Sequence, residues 1–260
     1  MDWRCDLCGG TAARPFAPWL VRCEGCGLVA THPQPSSEEL QGRYGEGYYE
    51  GWTGGGARAR LWRARLALVR PRLPAGAKLL DVGCGSGEFL AAARSAGYDA
   101  SGTEFSASAR ALIKGAPVYE RPSAAPGAYD AVTMWHVLEH TPSPRAMLAE
   151  VREKIRPDGL LILAVPNVKS TWFDLVYRLI KRKPNPLYTP QTKEPHLFHF
   201  SVKTLSRYLD EGGFEVLERG LDVPDHADWR KLIVDAPARS FYRLTGVNLA
   251  LTLFAAARRR

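Results

Sequence analysis

Leu79-Leu80-Asp81-Val82-Gly83-Cys84-Gly85-Ser86-Gly87-Glu88-Phe89 is an apolar strand that runs into Gly-x-Gly-x-Gly and then a helix. Glycines at such a junction let the backbone turn sharply and approach a ligand without Cβ interference, at the carboxyl edge of a sheet. A dinucleotide loop of the G-x-G-x-x-G type would place its third glycine one residue later. The absence of G-K-[ST] excludes a phosphate-binding P-loop. Asp81, two residues before Gly83, is an acid where a dinucleotide loop usually has none.

Outward from this segment, short strands alternate with helices. Strands are expected at Lys78–Val82, Asp99–Thr103, around Val118, at Asp130–Met134, at Leu160–Val165 and at residues 214–219. Helices are expected at Glu88–Ala96, Ser106–Lys114 and Ser143–Ile155, the last ending before Pro157-Asp158-Gly159. Leu160–Val165 is a continuous apolar run, as in a parallel sheet covered on both faces. Leu249–Ala257 fits either a final strand or a helix. The alternation predicts a doubly wound α/β domain. Glu104 falls about 20 residues after the loop at the end of the second strand, where an acid can accept from two ribose hydroxyls.

The chain has 260 residues, of which 45% are hydrophobic and 24% charged, with a net charge of +8. That is globular composition, and it excludes disordered and fibrous classes. The basic balance favours anionic partners without choosing among them. No apolar run reaches membrane-spanning length, and the first residues lack the apolar core of a signal peptide. A cytoplasmic protein is expected. Four of the five cysteines form Cys5-x2-Cys8 and Cys23-x2-Cys26, and the fifth is Cys84. Two such knuckles bring four thiolates to one tetrahedral zinc, leaving no open position, so the site is read as structural. Gly9 and Gly27 follow each knuckle, where the turn favours positive φ.

A third segment, Tyr129-Asp130-Ala131-Val132-Thr133-Met134-Trp135-His136-Val137-Leu138-Glu139-His140, is a strand ending in a polar cluster. With D-V-G-C-G-x-G and the acid after the second strand, the chain resembles the class I S-adenosylmethionine-dependent methyltransferases over about residues 76–220. More narrowly it resembles the bacterial group whose fourth strand ends in H-V-L-E-H. The resemblance implies a Rossmann-like, doubly wound, mostly parallel seven-stranded sheet. It implies a zinc-ribbon-like unit at 1–35, a helical and Tyr/Gly-rich lead-in at 36–75, and a methyltransferase domain at 76–260 with an insertion at 166–200. It also implies that Gly83, Cys84, Gly85 and Gly87 form the loop under the methionine part of the cofactor, and that Asp81 orients it. Glu104 would hold the ribose, Phe105 would lie beside the adenine, and Trp135 and His136 would line the boundary between cofactor and acceptor. The acid that usually contacts the adenine edge after the third strand has no match in Val118-Tyr119-Glu120-Arg121-Pro122-Ser123.

On a helical turn, His136, Glu139 and His140 share one face through the i, i+3, i+4 spacing. Three readings stay open: capping contacts, a general base, or ligands of a divalent metal. A similar E-x-x-E-H cluster binds a metal in small-RNA 2′-O-methyltransferases and ubiquinone-biosynthesis O-methyltransferases, and His196 matches the further histidine of the former. His136 stands where those have an acid. As a base it would act as a neutral imidazole near pH 7. His196 and His199 are secondary candidates for the base.

Residues 57–72 read as a basic amphipathic helix whose arginines form a solvated face, with an anion-binding surface as the other reading. In the insertion, Ser170–Ile180 is amphipathic and Lys181-Arg182-Lys183 follows. It is read as a lid over the acceptor, with contact to an anionic membrane as the other reading. Asp228–Leu244 poses the same choice. Tyr44, Tyr48 and Tyr49 are candidate acceptor contacts. The function expected is methyl transfer to a small metabolite, sugar or glycan acceptor, most readily at oxygen. An RNA methyltransferase and a non-catalytic cofactor-binding scaffold are the alternatives. The chain lacks aromatic-basic RNA motifs, and its intact loop and Glu104 speak against a dead pocket.

Overall fold

The structure is a computed structural model that describes residues 3–43, 56–183, 192, 195–223 and 229–260. In chain order it comprises β1 (Ala13–Ala17), β2 (Leu20–Cys23), β3 (Val29–Thr31), α1 (Ser37–Arg43), α2 (Gly56–Val69), β4 (Lys78–Val82), α3 (Glu88–Ser95), β5 (Asp99–Thr103) and α4 (Ala107–Leu112). There follow β6 (Val118–Tyr119), β7 (Tyr129–Trp135), α5 (Pro144–Lys154), β8 (Ile155–Pro166), α6 (Thr171–Lys181), β9 (Phe198–His199), α7 (Val202–Glu211), β10 (Phe214–Gly220), α8 (Trp229–Thr245) and β11 (Thr252–Arg259). Seven strands form one sheet in the order β10-β11-β8-β7-β4-β5-β6. β4 to β8 pair in parallel, and β11 lies antiparallel between β8 and β10. This is the Rossmann-like class I methyltransferase sheet. Its strand order reverses at β4, so the glycine loop leaves the sheet at the switch point where α/β folds bind ligands.

The ambiguous C-terminal run is the strand β11. Phe254, Ala255, Ala256 and Ala257 are all buried because both faces of this strand are covered, which erases the period-2 signal that separates strand from helix. Register explains the turn at Pro157-Asp158-Gly159: Tyr129 pairs with Ile155 and Ala131 with Leu160, so residues 156–159 bulge out of β8. None of the helices in the described residues is long and apolar enough to cross a membrane.

The cysteine unit is built from two matching turns. Gly9 N–H donates to Cys5 O (2.8 Å) and Gly27 N–H to Cys23 O (2.9 Å), with φ of +71° and +80° at the two glycines, as their positions predict. The unit carries β1-β2-β3 and takes its fourth strand, β9, from the 166–200 insertion. Asp6, between Cys5 and Cys8, accepts from Ser143 Oγ (2.6 Å), Arg145 N–H (3.1 Å) and the Tyr208 hydroxyl (2.9 Å). Trp3, Leu7 and Leu28 join Met134, Leu138, Leu148 and Leu205 in one continuous core. The unit is thus packed on α5 and α7 rather than tethered beside them.

Candidate active site

The site grows from the ends of β4, β5 and β7. Gly83, Gly85 and Gly87 all have positive φ (+67°, +54° and +80°). A Cβ on Gly83 would also lie 2.5 Å from Val137 Cγ2. The loop and the H-V-L-E-H segment therefore interlock, and only glycine fits. Glu104 ties the loop to the next strand. Its Oε2 accepts from Gly85 N–H (3.0 Å) and its Oε1 from Ser106 N–H (2.9 Å). Each carboxylate oxygen keeps a further lone pair for a hydroxyl donor. Arg110 donates to the carbonyls of Glu104 and Phe105 (2.6 and 2.7 Å) and steadies the backbone there. The Phe105 ring is half exposed.

Asp81 is buried and accepts from Thr133 Oγ1 (2.7 Å) on the neighbouring strand. Burial pushes its pKa up to about 7 although the Thr133 bond opposes this. The Cys84 thiol is buried and pushed up by desolvation and then by Asp81 and Glu104, so it is not a reactive thiolate.

The arginine helix α2 is only in part the solvated face expected: Arg60 and Arg63 are exposed, but Arg58 and Arg65 turn inward. It closes over the site. Arg58 and Trp62 donate to Glu88 Oε2 in the first turn of α3 (2.6 and 3.0 Å). Arg65 is 5% exposed and lies over the rings of Trp62 and Trp135, 5.0 Å from each centroid. Its guanidinium grips Asp222 through two bonds, of 3.2 and 2.6 Å. Sequence reasoning missed both members of this pair. Arg65 carried a readable signal, because it sits on the stripe of Leu61, Leu66 and Val69 that α2 buries; a charge on an apolar stripe needs a partner. Asp222 carried none, being one acid in a loop after β10.

H-V-L-E-H is not a regular helical turn. His136 has φ +57°, and only Leu138–His140 form a short 3₁₀ turn. The side chains still converge. His136 Nε2 lies 3.1 Å from Asp222 Oδ2, and Nδ1 lies 3.3 Å from Glu139 Oε1. Burial lowers the His136 pKa, but the two carboxylates outweigh it and hold the pKa up to about 9. The neutral imidazole expected from sequence is therefore an imidazolium at pH 7 in this arrangement. Asp222, despite burial, is held well below the carboxylate range by Arg65 and by His136. Two carboxylates are thus balanced by one guanidinium and one imidazolium.

Glu139 is buried, and neither of its oxygens has a well-formed hydrogen bond among the described residues. His140 Nδ1 lies 2.9 Å from Pro195 O, so it carries the proton and donates; Nε2 then points toward Glu139 at 4.0 Å. The His196 ring lies 4.9 Å from that of His140, and His199 lies 5.8 Å beyond it. Glu139, His140 and His196 offer ligand atoms within 4.8 Å of one another. Burial first, then neighbouring histidines, keeps His196 neutral. The cysteine sheet sets this cluster's position: Thr31 Oγ1 donates to His196 O (2.8 Å), Thr31 N–H to Leu197 O (2.9 Å), and Leu197 N–H to Glu139 O (2.7 Å).

In the cysteine unit the Sγ atoms of Cys5 and Cys26, and of Cys8 and Cys23, are 3.5 Å apart, with all four within 4.8 Å. Tetrahedral zinc with bonds of about 2.3 Å sets sulfur–sulfur separations of about 3.8 Å, so the four thiols fit that ion. Tyr44, Tyr48 and Tyr49 lie outside the described residues.

The sheet order and the loop at its switch point define the class I methyltransferase fold. A family model described as a methyltransferase domain matches residues 55–219, and the chain belongs to that family. The match includes α2, and it does not pick out the narrower H-V-L-E-H group. The chain is 35% identical over 117 residues to a ubiquinone biosynthesis O-methyltransferase of Thiobacillus denitrificans, covering 40% of this chain and 50% of that protein. It thus spans about half the length of the curated relatives it matches. Among solved structures, 1,6-didemethyltoxoflavin-N1-methyltransferase of Burkholderia thailandensis aligns over 96% of this chain and 99% of its own, with TM-score 0.59 and 15% identity. Magnesium protoporphyrin IX methyltransferase of Synechocystis aligns over 88% and 100%, with TM-score 0.54 and 13% identity. At such identities these likenesses show the fold.

Proposed function

We propose that this protein is an S-adenosylmethionine-dependent O-methyltransferase acting on a small-molecule acceptor. The observation that carries the reading is the Glu104 clamp. One buried carboxylate joins the glycine loop to the end of β5 and keeps acceptor capacity for a ribose diol. The small-molecule oxygen acceptor is supported by the relatives' name, ubiquinone biosynthesis O-methyltransferase. S-adenosylmethionine supplies an electrophilic methyl group on a sulfonium. Gly83, Gly85 and Gly87 would leave room for it, Phe105 and Trp135 would flank it, and buried Asp81 would act from beneath the loop through Thr133. The protein's remaining task is alignment and removal of the acceptor's proton. That proton passes to His136 in its neutral form, at Nδ1, with Asp222 fixing the ring through Nε2–H; the imidazolium that prevails at pH 7 first releases a proton to solvent.

Two metal sites belong to the same reading. Cys5, Cys8, Cys23 and Cys26 hold a structural zinc. Glu139, His140 and His196 form a set of one carboxylate and two imidazoles suited to a divalent cation; the buried oxygens of Glu139, which make no well-formed hydrogen bond among the described residues, support it. His136 is outside this set because both of its nitrogens face carboxylates.

His136→Ala is expected to lower turnover by about 10²–10⁴-fold, the usual worth of a positioned acid–base group. Affinity for S-adenosylmethionine should stay within about threefold. Labelled-methyl transfer to hydroxylated aromatic acceptors, with calorimetric titration of the cofactor, reads both. Unchanged turnover removes His136 from the mechanism.

A further inference from the structure

Helix α8 is amphipathic in the wrong sense for a soluble surface. The side it turns to the body of the protein is polar or small. Asp235 is buried, pairs with Arg239 (2.6 Å) and accepts from Leu251 N–H (3.2 Å). Arg239 donates to Asp222 O (2.5 Å), and the Tyr242 hydroxyl to Arg219 O (2.8 Å). Ile233, Phe241 and Leu244, spaced to share the opposite side, are 63%, 41% and 86% exposed, with Pro237 exposed between them.

Helix α6 packs on α8, where Trp172 Nε1–H donates to Val234 O (2.7 Å). It has no fully buried residue, and it exposes Leu175, Leu179 and Ile180 at 50%, 71% and 67%. With Val247, these two helices and their edge account for seven of the twelve exposed large apolar side chains among the described residues. Apolar exposure concentrated on one pair of packed helices marks an interaction surface.

Its charge selects the occupant. Lys181, Arg182, Lys183 and Arg243 are exposed around the patch. Neither helix has an exposed carboxylate, since Asp235 is buried and Asp174 is half-buried. Apolar side chains rimmed by cations suit the interface of an anionic bilayer. A second copy of the same face would oppose like charges.

We infer that the α6–α8 face docks on anionic lipid, seating the protein on a membrane surface beside the Asp222–His136 site. This inference stands on the two helices and does not rest on the methyl-transfer reading. The test is co-sedimentation of the full chain with vesicles of phosphatidylglycerol and phosphatidylcholine, and with phosphatidylcholine alone. Binding is expected to the first and to be negligible to the second. Leu179→Asp with Ile180→Asp should weaken it about tenfold or more. Lys181→Glu with Lys183→Glu should weaken it about fivefold per charge. All four positions are exposed, so thermal unfolding and cofactor affinity should be unchanged. Three results overturn the inference: no binding to the anionic vesicles, equal binding by the Asp variants, or a solution dimer that the Asp variants dissociate, which would assign the face to a second copy.

Discussion

Asp222→Ala should cost the protein about 3–5 kcal/mol of stability, because it strands the Arg65 guanidinium between two indole rings with no counterion. That is a large fraction of the 5–15 kcal/mol by which domains are ordinarily stable. Asp222→Asn keeps the shape and should cost less. Arg65 and His136 hold the Asp222 carboxyl well below its ordinary value of 3.8. A depressed carboxylate stabilises the folded state above its unfolded pKa, and that stabilisation is lost as pH falls through the folded one. The Asn variant should therefore lack part of the acid-side decline in stability. A double variant separates structure from chemistry. Arg65→Met with Asp222→Leu removes both charges and should recover most of the stability. Turnover should stay about 10²-fold or more down, because His136 has lost the carboxylate on its Nε2. If the double variant regained turnover with stability, Asp222 would be a packing residue only.

Removing the zinc proposed at the four cysteines is the second large effect expected. Structural zinc contributes apparent binding energy of about 10 kcal/mol or more, and it would tie the two knuckles directly to each other. Cys26→Ser, or chelation, should remove one zinc per chain by elemental analysis and lower the melting temperature by more than about 10 °C. The loss should spread, because β3 carries β9 and with it His196, His199 and, through Leu197, the backbone of Glu139. A metal at Glu139, His140 and His196 would register as a second equivalent that leaves with the first. Cofactor affinity should fall by no more than a few-fold, since Glu104 and the glycine loop make none of these contacts. A purified chain without zinc and with an unchanged melting temperature would contradict the assignment.

Much of this was written in short sequence neighbourhoods. Gly83–Gly87, Glu104 and the two knuckles depend on residues adjacent in the chain, where backbone conformation and residue type are directly coupled. The partners of His136 were not legible in this way. Asp222 reaches it from a loop 86 residues away, and no local pattern marks that acid apart from others. Arg65 was legible in principle from its place on an apolar stripe, yet a helix rich in arginine hides one buried member among solvated ones. The shape of H-V-L-E-H was misjudged because tertiary contacts, including Val137 against Gly83, impose a left-handed residue where spacing alone suggests a helix. The β9 strand comprises two residues, too short for any periodicity, and exists through its pairing with β3.

The central claim is that Glu104 and the glycine loop form a cofactor site. The direct measurement is calorimetric titration of the zinc-loaded protein with S-adenosylmethionine and S-adenosylhomocysteine, repeated on Glu104→Ala. Micromolar binding of both ligands is expected, weakened by about 100-fold or more in the variant, as befits the loss of charged hydrogen bonds worth about 1.5–3 kcal/mol each. A folded protein that binds neither ligand, or a Glu104→Ala variant that binds them as tightly as the parent, would contradict it.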